Sequence, residues 1–264
     1  MTAPFCVLTI AGSDSGGGAG IQADQRTIRA LGGHALTAVT AVTAQDTRRV
    51  ASWAPVSNAL IGAQVASALA GFDVRAIKTG LLPGAGAVKA VAKALAGSKA
   101  PLVVDPVLGA TSGTRFLDEA GVRALRKFLL PRAMLVTPNW PEAAELSGRA
   151  VRTHAEAAAA ARLLAADLGC AVLVKGGHAP RGNCRDCLAT PDGTLTWFSV
   201  ARVATPNAHG TGCVLSSALA SWLGRGASVA EAVRSSQAFL RRGLVQSRRL
   251  DWGAGRGTAF YGTR

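Results

Sequence analysis

Acidic residues are scarce in this chain of 264 residues, which has 15 Asp and Glu against 29 Lys and Arg and a formal net charge of +14. Charged residues make up 17% of the chain, below the roughly 25% that is usual in soluble domains. The positive charge therefore comes from missing acids rather than from added bases. Apolar residues reach 49%, and this excludes a disordered polybasic protein, because such chains combine low apolar content with blocks of charge.

A long apolar run, a signal peptide and a disulfide pattern are also missing. The apolar stretch at 157–174 is interrupted by Arg162 and Asp167, so it falls short of the roughly 18 residues that a membrane span needs. The first ten residues have no basic segment and indicate a strand rather than a signal peptide. The five cysteines are scattered and odd in number, which does not favour a secreted disulfide scaffold. We expect a cytoplasmic enzyme that does not contact a membrane.

The excess of arginine leaves one alternative of a different class. Arginines cluster at positions 123, 126 and 132, and again at 241, 242, 248 and 249. A basic face can bind nucleic acid through its phosphates, with an affinity that falls steeply with salt. However, the chain has one tyrosine and no basic run interleaved with aromatic residues. Solvated helical arginines are the simpler interpretation, and we expect no nucleic-acid partner.

Short β-branched runs alternate with alanine-rich helical stretches along the chain. Predicted strands are 7–11, 37–43, 74–78, 102–104, 135–137 and 171–174; predicted helices are 21–31, 58–70, 85–96, one starting after Thr153, 212–223 and 229–246. One antiparallel hairpin is predicted within 186–200, around Asp192-Gly193. The pattern predicts a single α/β domain over 1–264, with a mostly parallel sheet covered by helices on both faces. Ligands bind such sheets beyond the carboxyl ends of the strands.

Several polar segments follow the predicted strands. The glycine-rich segment 12–20 has neither the Rossmann nor the P-loop spacing, so it is either a flexible turn or a place of close backbone approach to a ligand. Asp105 follows a buried strand and could cap a turn or face a metal-bound phosphate. Asn139 and Glu142 share a helical face, although this spacing is also good N-terminal capping chemistry. Lys175 ends a buried strand, where a phosphate is a natural partner.

Cysteine occurs in two further patterns. Cys184 and Cys187 have C-x-x-C spacing without a second ligand pair, which does not favour zinc. The segment 208–216 places Gly210 and Gly212 before an apolar helical run, and this predicts an anion site at a helix N-terminus. The helix dipole there would lower the pKa of Cys213 and favour a thiolate that deprotonates a substrate hydroxyl. The alternative is a small apolar cysteine that packs the helix.

Taken together and in this order, these motifs resemble the hydroxymethylpyrimidine/phosphomethylpyrimidine kinases of thiamine biosynthesis, in the ribokinase-like superfamily. The segments that carry the resemblance are 11–24, 40–46, 78–80, 105–107, 137–142, 175–178 and 209–213. The resemblance implies a ribokinase-like fold with ATP and pyrimidine sites at the carboxyl edge of the sheet. It also implies phosphorylation of 4-amino-5-hydroxymethyl-2-methylpyrimidine by ATP, then of its monophosphate to the diphosphate, in a homodimer.

The resemblance assigns roles to individual positions. The implied roles are substrate binding for Gly12, Asp24, Gln45 and Val107, ATP contacts for Asn139 and Lys175, Mg²⁺ ligation for Asp105 and Glu142, and an anion hole with a catalytic base for Gly210, Thr211, Gly212 and Cys213. By position alone, Asp24 could instead be a carboxylate favoured by the dipole of its helix. The amide of Gln45 suits the polar edge of a pyrimidine, because polar readout needs paired donors and acceptors.

Two positions depart from the family pattern. Gln237 stands where relatives commonly have a lysine, and segment 255–260 differs from their usual Gly-Pro-rich end with a histidine. The nearest alternative is a pyridoxal kinase of the same superfamily. Pyridoxal-active relatives tend to have a second cysteine in the loop that corresponds to 108–113, and this chain has none there.

Overall fold

The computed structural model describes residues 4–109, 113–178, 182–253 and 255–259, with His178 described by its backbone alone. Its strands are β1 Cys6–Asp14, β2 His34–Gln45, β3 Val50–Pro55, β4 Val74–Thr79, β5 Leu102–Val104, β6 Leu135–Val136, β7 Ala171–Val174, β8 Cys184–Ala189 and β9 Leu195–Val200. Its α-helices are α1 Gly20–Ala30, α2 Asn58–Gly71, α3 Gly84–Ala94, α4 Glu119–Ala124, α5 Trp140–Ser147, α6 His154–Leu168, α7 Thr211–Gly224 and α8 Val229–Ser247. A π-helical turn, Leu125–Leu129, extends α4.

The nine strands form one sheet in the order β3-β2-β1-β4-β5-β6-β7-β8-β9. Six neighbouring strands of this sheet, β2-β1-β4-β5-β6-β7, pair in parallel. This confirms the mostly parallel α/β prediction. The predicted hairpin is present as β8 and β9, and Gly193 in its turn has a positive φ of 85°.

The prediction of a single antiparallel region was incomplete. Strand β3, which the sequence did not predict, pairs antiparallel with β2 at one end of the sheet, and β8 pairs antiparallel with β7 near the other end. Most side chains of β3 are exposed. It therefore lacks the apolar run by which a buried strand is recognised in a sequence.

Both faces of the sheet are buried, so neighbouring residues of one strand enter different cores. Leu8 packs with Ile61 of α2 and Leu164 of α6 on one face. Its neighbour Val7 packs on the other face with Ile28 of α1 and with residues of α7 and α8. This two-sided burial explains why the strands are apolar without alternation. In the part of the chain that the structure describes, no helix is long and apolar enough to cross a membrane.

The helix that follows β6 is capped by two of the candidate site residues. The side chain of Asn139 accepts a hydrogen bond from the backbone N–H of Glu142 at 2.9 Å, and Oε2 of Glu142 accepts one from the N–H of Asn139 at 2.7 Å. The capping interpretation of this pair is therefore right. The same contacts fix both side chains beyond the end of β6, at the carboxyl edge of the sheet.

Candidate functional site

A cavity of about 1000 Å³ opens along the carboxyl edge of the sheet. It collects segments from distant parts of the sequence, and all of the site residues that the sequence predicted line it except Asp24. Those residues are Gly12, Gln45, Val107, Asp105, Asn139, Glu142, Lys175, Gly210, Thr211, Gly212 and Cys213.

The structure does not place Asp24 on this cavity, contrary to the prediction of a substrate contact. Its side chain is fully buried and accepts hydrogen bonds from Nζ of Lys78 at 2.8 and 3.0 Å. It also accepts bonds from the hydroxyls of Thr9 and of Ser217, the latter at 2.6 Å. Because these donors occupy both carboxylate oxygens, Asp24 serves to tie α1 to β4 and α7.

Lys78 was not among the predicted site residues, although it borders the cavity. Burial alone would lower its pKa, but the negative charge of Asp24 raises the pKa above its ordinary value. The group is therefore a permanent cation. Lys78 lies one residue before the end of the buried strand β4, and this position could have indicated an ionic partner, because a buried ammonium group is rare unless it is paired.

A second lysine–carboxylate pair, Lys175 and Asp105, lines the cavity. Nζ of Lys175 donates to Oδ1 of Asp105 at 2.6 Å and lies 3.8 Å from Oε2 of Glu142. The hydroxyls of Thr137 and Ser216 donate to Asp105 at 3.2 and 3.3 Å. The pair thus joins β7 to the ends of β5 and β6 and to the first turns of α7.

The charges in this cluster shift one another's titration. Burial, with a further contribution from the negative charge of Asp105, raises the pKa of Glu142 to about 7 although Lys175 acts in the opposite direction. Burial would lower the pKa of Lys175, but Asp105 and Glu142 raise it above its ordinary value. Two carboxylates share one ammonium here, so a further cation would find uncompensated negative charge.

The residues present fit a magnesium ion that arrives with a phosphate ligand. Asp105 and Glu142 both line the cavity, and Mg²⁺ commonly takes one or two carboxylates together with substrate phosphates. Among the described residues, no cluster of three or more His, Cys, Asp or Glu side chains could hold a metal. The remaining ligands would therefore have to come from a bound phosphate and from water.

Gly210 and the first residues of α7, 211–213, have the form of an anion site, and we call residues 210–213 the anion loop. Gly210 caps the helix with a positive φ of 74°, and a Cβ added there would lie 1.9 Å from the carbonyl oxygen of Gly18. The N–H groups of the first turn have no acceptor within the helix and add to the positive end of its dipole. A Cβ on Gly212 would lie 3.5 Å from Nζ of Lys175 and 3.6 Å from Oδ2 of Asp105. The anion loop and the lysine therefore face the same space.

The predicted lowering of the Cys213 pKa was wrong for the ligand-free protein. Burial raises the pKa of its thiol to about 11, and the charges of Asp24 and Asp105 add to that effect. The positive charge of Lys78 acts in the opposite direction without overcoming it. The desolvation of the thiolate thus outweighs the helix terminus, and Cys213 is a neutral thiol at pH 7.

A second network that the sequence did not reveal joins the glycine-rich loop to the anion loop. Oδ1 of Asp14 accepts the N–H of Gly16 at 2.8 Å, and Oδ2 accepts the N–H of Ala19 at 2.7 Å. Nε2 of His209 lies 3.0 Å from Oδ2 of Asp14. A Cβ on Gly18 would lie 2.3 Å from Cδ2 of His209. That glycine is required for packing of the two loops, whereas the sequence predicted either flexibility or approach to a ligand.

The two departures from the family pattern lie at the same edge. Gln237 donates from Nε2 to Oδ2 of Asp186 at 2.7 Å, and Oδ1 of that carboxylate accepts the N–H of Gly176 at 2.7 Å. Burial raises the pKa of Asp186. Segment 255–259 packs on the site, since the N–H of His209 donates to the carbonyl of Gly257 at 3.0 Å. Phe260 and half of the loop 108–113, namely 110–112, lie outside the described residues.

Comparison with known proteins identifies relatives of the whole chain. The family described as "Phosphomethylpyrimidine kinase" matches residues 14–259. The hydroxymethylpyrimidine/phosphomethylpyrimidine kinase of Rhizobium meliloti is 43% identical over 255 residues, which cover 96% of each chain.

Solved structures with the same fold include enzymes of two names. The structure of pyridoxal kinase from Staphylococcus aureus with AMP-PCP and pyridoxal superposes with a TM-score of 0.88 at 30% identity, covering 98% of this chain and 94% of that one. Phosphomethylpyrimidine kinase from Clostridium difficile superposes with a TM-score of 0.78 at 33% identity, covering 90% of this chain and 98% of that one.

Proposed function

The chain belongs to the phosphomethylpyrimidine kinase family, and from this premise we propose which of its residues carry the reaction and what each one does. It is a kinase of thiamine biosynthesis, which phosphorylates 4-amino-5-hydroxymethyl-2-methylpyrimidine with ATP and then converts the monophosphate to the diphosphate. The observation that carries the assignment of roles is the meeting of three features in one cavity: the anion loop, the Asp105–Lys175–Glu142 cluster and the amide of Gln45.

The cluster of Asp105, Lys175 and Glu142 takes the ATP phosphates. Lys175 and the N–H groups of Thr211, Gly212 and Cys213 neutralise the negative charge that builds on the transferred phosphoryl group, because fixed donors in a partly dry site stabilise such charge strongly. Asn139 contacts the phosphates beside Lys175. Asp105 and Glu142 would hold Mg²⁺, which would supply further neutralisation of the phosphate charge when bound.

The part of the cavity that Gly12, Gln45 and Val107 line takes the pyrimidine. Gln45 supplies hydrogen bonds to its polar edge, while Gly12 and Val107 form the walls. In the first transfer Cys213 acts as a base in its thiolate form, which arises when the thiol loses its proton to solvent. The proton of the substrate hydroxyl passes to that sulfur as the hydroxyl oxygen bonds to the γ-phosphorus of ATP, and the bond from the γ-phosphorus to the bridging oxygen breaks so that ADP leaves. In the second transfer, the attacking oxygen belongs to a phosphate that is already anionic, so a base contributes little.

Substitution of Cys213 tests this division of labour. We expect Cys213→Ala to lower kcat for the alcohol by about 10²- to 10⁴-fold, the usual contribution of a general base, and to leave the monophosphate step far less affected. The two steps are measured separately, with the alcohol and with the monophosphate as starting substrate. Cys6→Ser is the matched control, since Cys6 is the first residue of β1 and the cavity lies at the other, carboxyl end of that strand. Equal losses in both steps would remove Cys213 from the role of base.

Pyridoxal is the substrate to compare, because pyridoxal kinases share the fold. We expect the pyrimidine alcohol to be phosphorylated with a higher kcat/KM than pyridoxal, in agreement with the absence of cysteine from the sequence of loop 108–113. Parallel assays of both substrates at one ATP concentration decide the matter. A clear preference for pyridoxal would reverse the assignment.

We also propose a cytoplasmic homodimer with one kinase domain over residues 1–264. All five cysteines are free thiols, which suits a reducing compartment. One continuous sheet contains strands from both halves of the chain, which suits a single cooperative unit. Light scattering on the purified protein tests the homodimer, and urea unfolding, in which one transition is expected, tests the single domain.

A further inference from the structure

The strongest unassigned feature is the contact between the amide of Gln45 and the imidazole of His209. The amide nitrogen of Gln45 lies 3.1 Å from Nε2 of His209, and that same ring nitrogen lies 3.0 Å from Oδ2 of Asp14. One ring nitrogen therefore faces both a carboxylate oxygen and an amide. It can either donate or accept a hydrogen bond, but not both.

The carboxylate decides which of the two occurs. Asp14 is nearly buried, with 4% of its side chain exposed, and its oxygens accept the backbone N–H groups of Gly16, Gly18 and Ala19. Burial alone would raise the pKa of Asp14, but the hydrogen bonds from His209 and from the backbone of Ala19 and Gly16 lower it overall. Asp14 is thus an ionised acceptor, and Nε2 of His209 must carry the proton that it donates.

A protonated Nε2 cannot accept a hydrogen bond from Gln45. The group of Gln45 that faces it must then be the carbonyl oxygen Oε1, and a half-turn about the last side-chain bond exchanges the oxygen and nitrogen of an amide without moving its other atoms. The backbone of Gln45 is held independently, because its N–H and carbonyl both bond to the hydroxyl of Ser15 at 2.7 and 2.8 Å. The strand at Gln45 therefore stays in place whichever way the side-chain amide is turned.

We propose that the Asp14–His209 pair sets the orientation of the Gln45 amide, so that its NH₂ group points to the substrate and selects a ring edge with a hydrogen-bond acceptor. This inference rests on the proposed function for the identity of the substrate. His209 is then a positioning residue for specificity, in addition to being next to the anion loop. A neutral aromatic nitrogen fits such a donor, whereas a protonated ring nitrogen opposes it.

The protonation of His209 can be observed without substrate. The full-length protein with ¹⁵N-labelled histidine contains four histidines, and His209→Leu identifies the signals of His209 in a long-range ¹H–¹⁵N correlation spectrum. We expect the Nε2 signal of His209 to be that of a protonated nitrogen. A bare Nε2 would overturn the proposal, whether or not the protein phosphorylates a pyrimidine.

Two substitutions of Gln45 test which atom meets the substrate. Gln45→Glu keeps an acceptor for His209 but has no donor, and Gln45→Met has neither. Calorimetry with 4-amino-5-hydroxymethyl-2-methylpyrimidine should show both variants binding about 10- to 100-fold more weakly than the parent, the range for one lost hydrogen bond that leaves its partner unpaired. Binding by Gln45→Glu at the parent's affinity would show that an oxygen faces the substrate, which contradicts the proposal.

A pair of substrate analogues separates positioning from general damage. Each analogue has C–H in place of one ring nitrogen, and the parent protein should prefer the pyrimidine over one of them by about 10- to 100-fold. His209→Leu should lose most of this preference, and His209→Gln, which retains a donor for Asp14, should keep it. An unchanged ratio in His209→Leu, with weaker binding of all ligands, would make the role merely structural and refute the proposal. His34→Leu is the matched control, since His34 is exposed and stacks on Phe72.

The outcomes also distinguish this inference from the proposed function. If the parent protein binds no pyrimidine, the proposed function fails, while the histidine spectrum still tests the orientation of the Asp14–His209 pair. If the pyrimidine binds and the analogue ratio is insensitive to His209, the function stands and the positioning role falls.

Discussion

Two lysine–aspartate pairs of the same chemical kind lie at the carboxyl edge of this sheet, and they differ in access. Lys78 and Asp24 are 2.8 Å apart, and both side chains are fully buried. Lys175 and Asp105 are 2.6 Å apart, and 13% of the lysine side chain is exposed to the cavity. In the first pair Thr9 and Ser217 complete the coordination of the carboxylate, whereas the second pair has Glu142 as an additional negative neighbour.

The difference shows that the composition of an ion pair does not reveal its role. A closed pair with all its acceptors occupied has no capacity for another ligand and contributes to the fold. An open pair with surplus charge can exchange its partner for a phosphate or a metal ion. The relevant quantities are the exposed fraction of each charged side chain and the number of hydrogen bonds that each carboxylate oxygen already accepts.

The largest effect on stability should follow from opening the closed pair. We expect Lys78→Met to lower the free energy of unfolding by about 3–5 kcal/mol, because it leaves Asp24 as an uncompensated buried charge. Urea denaturation followed by circular dichroism measures the change. The double variant with Asp24→Asn should recover part of the loss, and a single variant as stable as the parent protein would show that the pair does not stabilise the fold.

Removal of the lysine from the open pair should affect catalysis rather than folding. We expect Lys175→Met to lower kcat by about 10²- to 10³-fold, as for other fixed groups that stabilise transition-state charge, in steady-state assays with ATP and the pyrimidine alcohol. Asp105 borders the cavity, whereas Asp24 does not, so water can solvate the carboxylate that is left, and the stability loss should be smaller than for Lys78→Met. Lys175→Arg, which retains the charge, is the control. A loss of stability equal to that of Lys78→Met would erase the contrast between the two pairs.

Surplus negative charge beside the open pair should make stability depend on pH. The pKa of Glu142 rises from 4.5 to about 7 on folding, so the native state binds more protons than the unfolded state in this interval. The free energy of unfolding should therefore decrease as pH rises from about 4.5 to 7, by about 2–3 kcal/mol from this group. Glu142→Gln should flatten that slope in urea titrations at several pH values. An unchanged slope would assign the dependence to other groups.

An exposed pair sets the lower end of the comparison. Arg123 and Glu119 lie 3.5 Å apart on α4, with side chains 72% and 88% exposed. We expect Arg123→Ala to change the free energy of unfolding by less than about 0.5 kcal/mol, because water screens such pairs. A larger change in thermal or urea unfolding would mean that proximity outweighs burial in this protein.

The parts of the site that sequence reasoning predicted are those fixed by local order. Asp105 and Lys175 directly follow buried strands, and parallel strands bring such positions to one edge. The partners of Asp24 could not be found in this way, since Ser217 is 193 positions away and the choice of partner depends on packing between α1, β4 and α7. The prediction of a lowered pKa for Cys213 was wrong for a related reason. The helix N-terminus can be predicted from the sequence, but burial and the neighbouring carboxylates, which oppose its effect on the thiol, cannot.

Segment 255–259, which contacts both the glycine-rich loop and His209 beside the anion loop, is synthesised late. The hydroxyl of Thr258 donates to the carbonyl of Gly18 at 3.2 Å, across 240 positions of sequence, and Gly257 accepts the N–H of His209. A chain is made from its N-terminus at about 5–20 residues per second. The segment that fastens the glycine-rich loop and the anion loop therefore leaves the ribosome many seconds after the first of these loops. During synthesis the sheet can form early, but the closure of the two loops awaits residues 255–259.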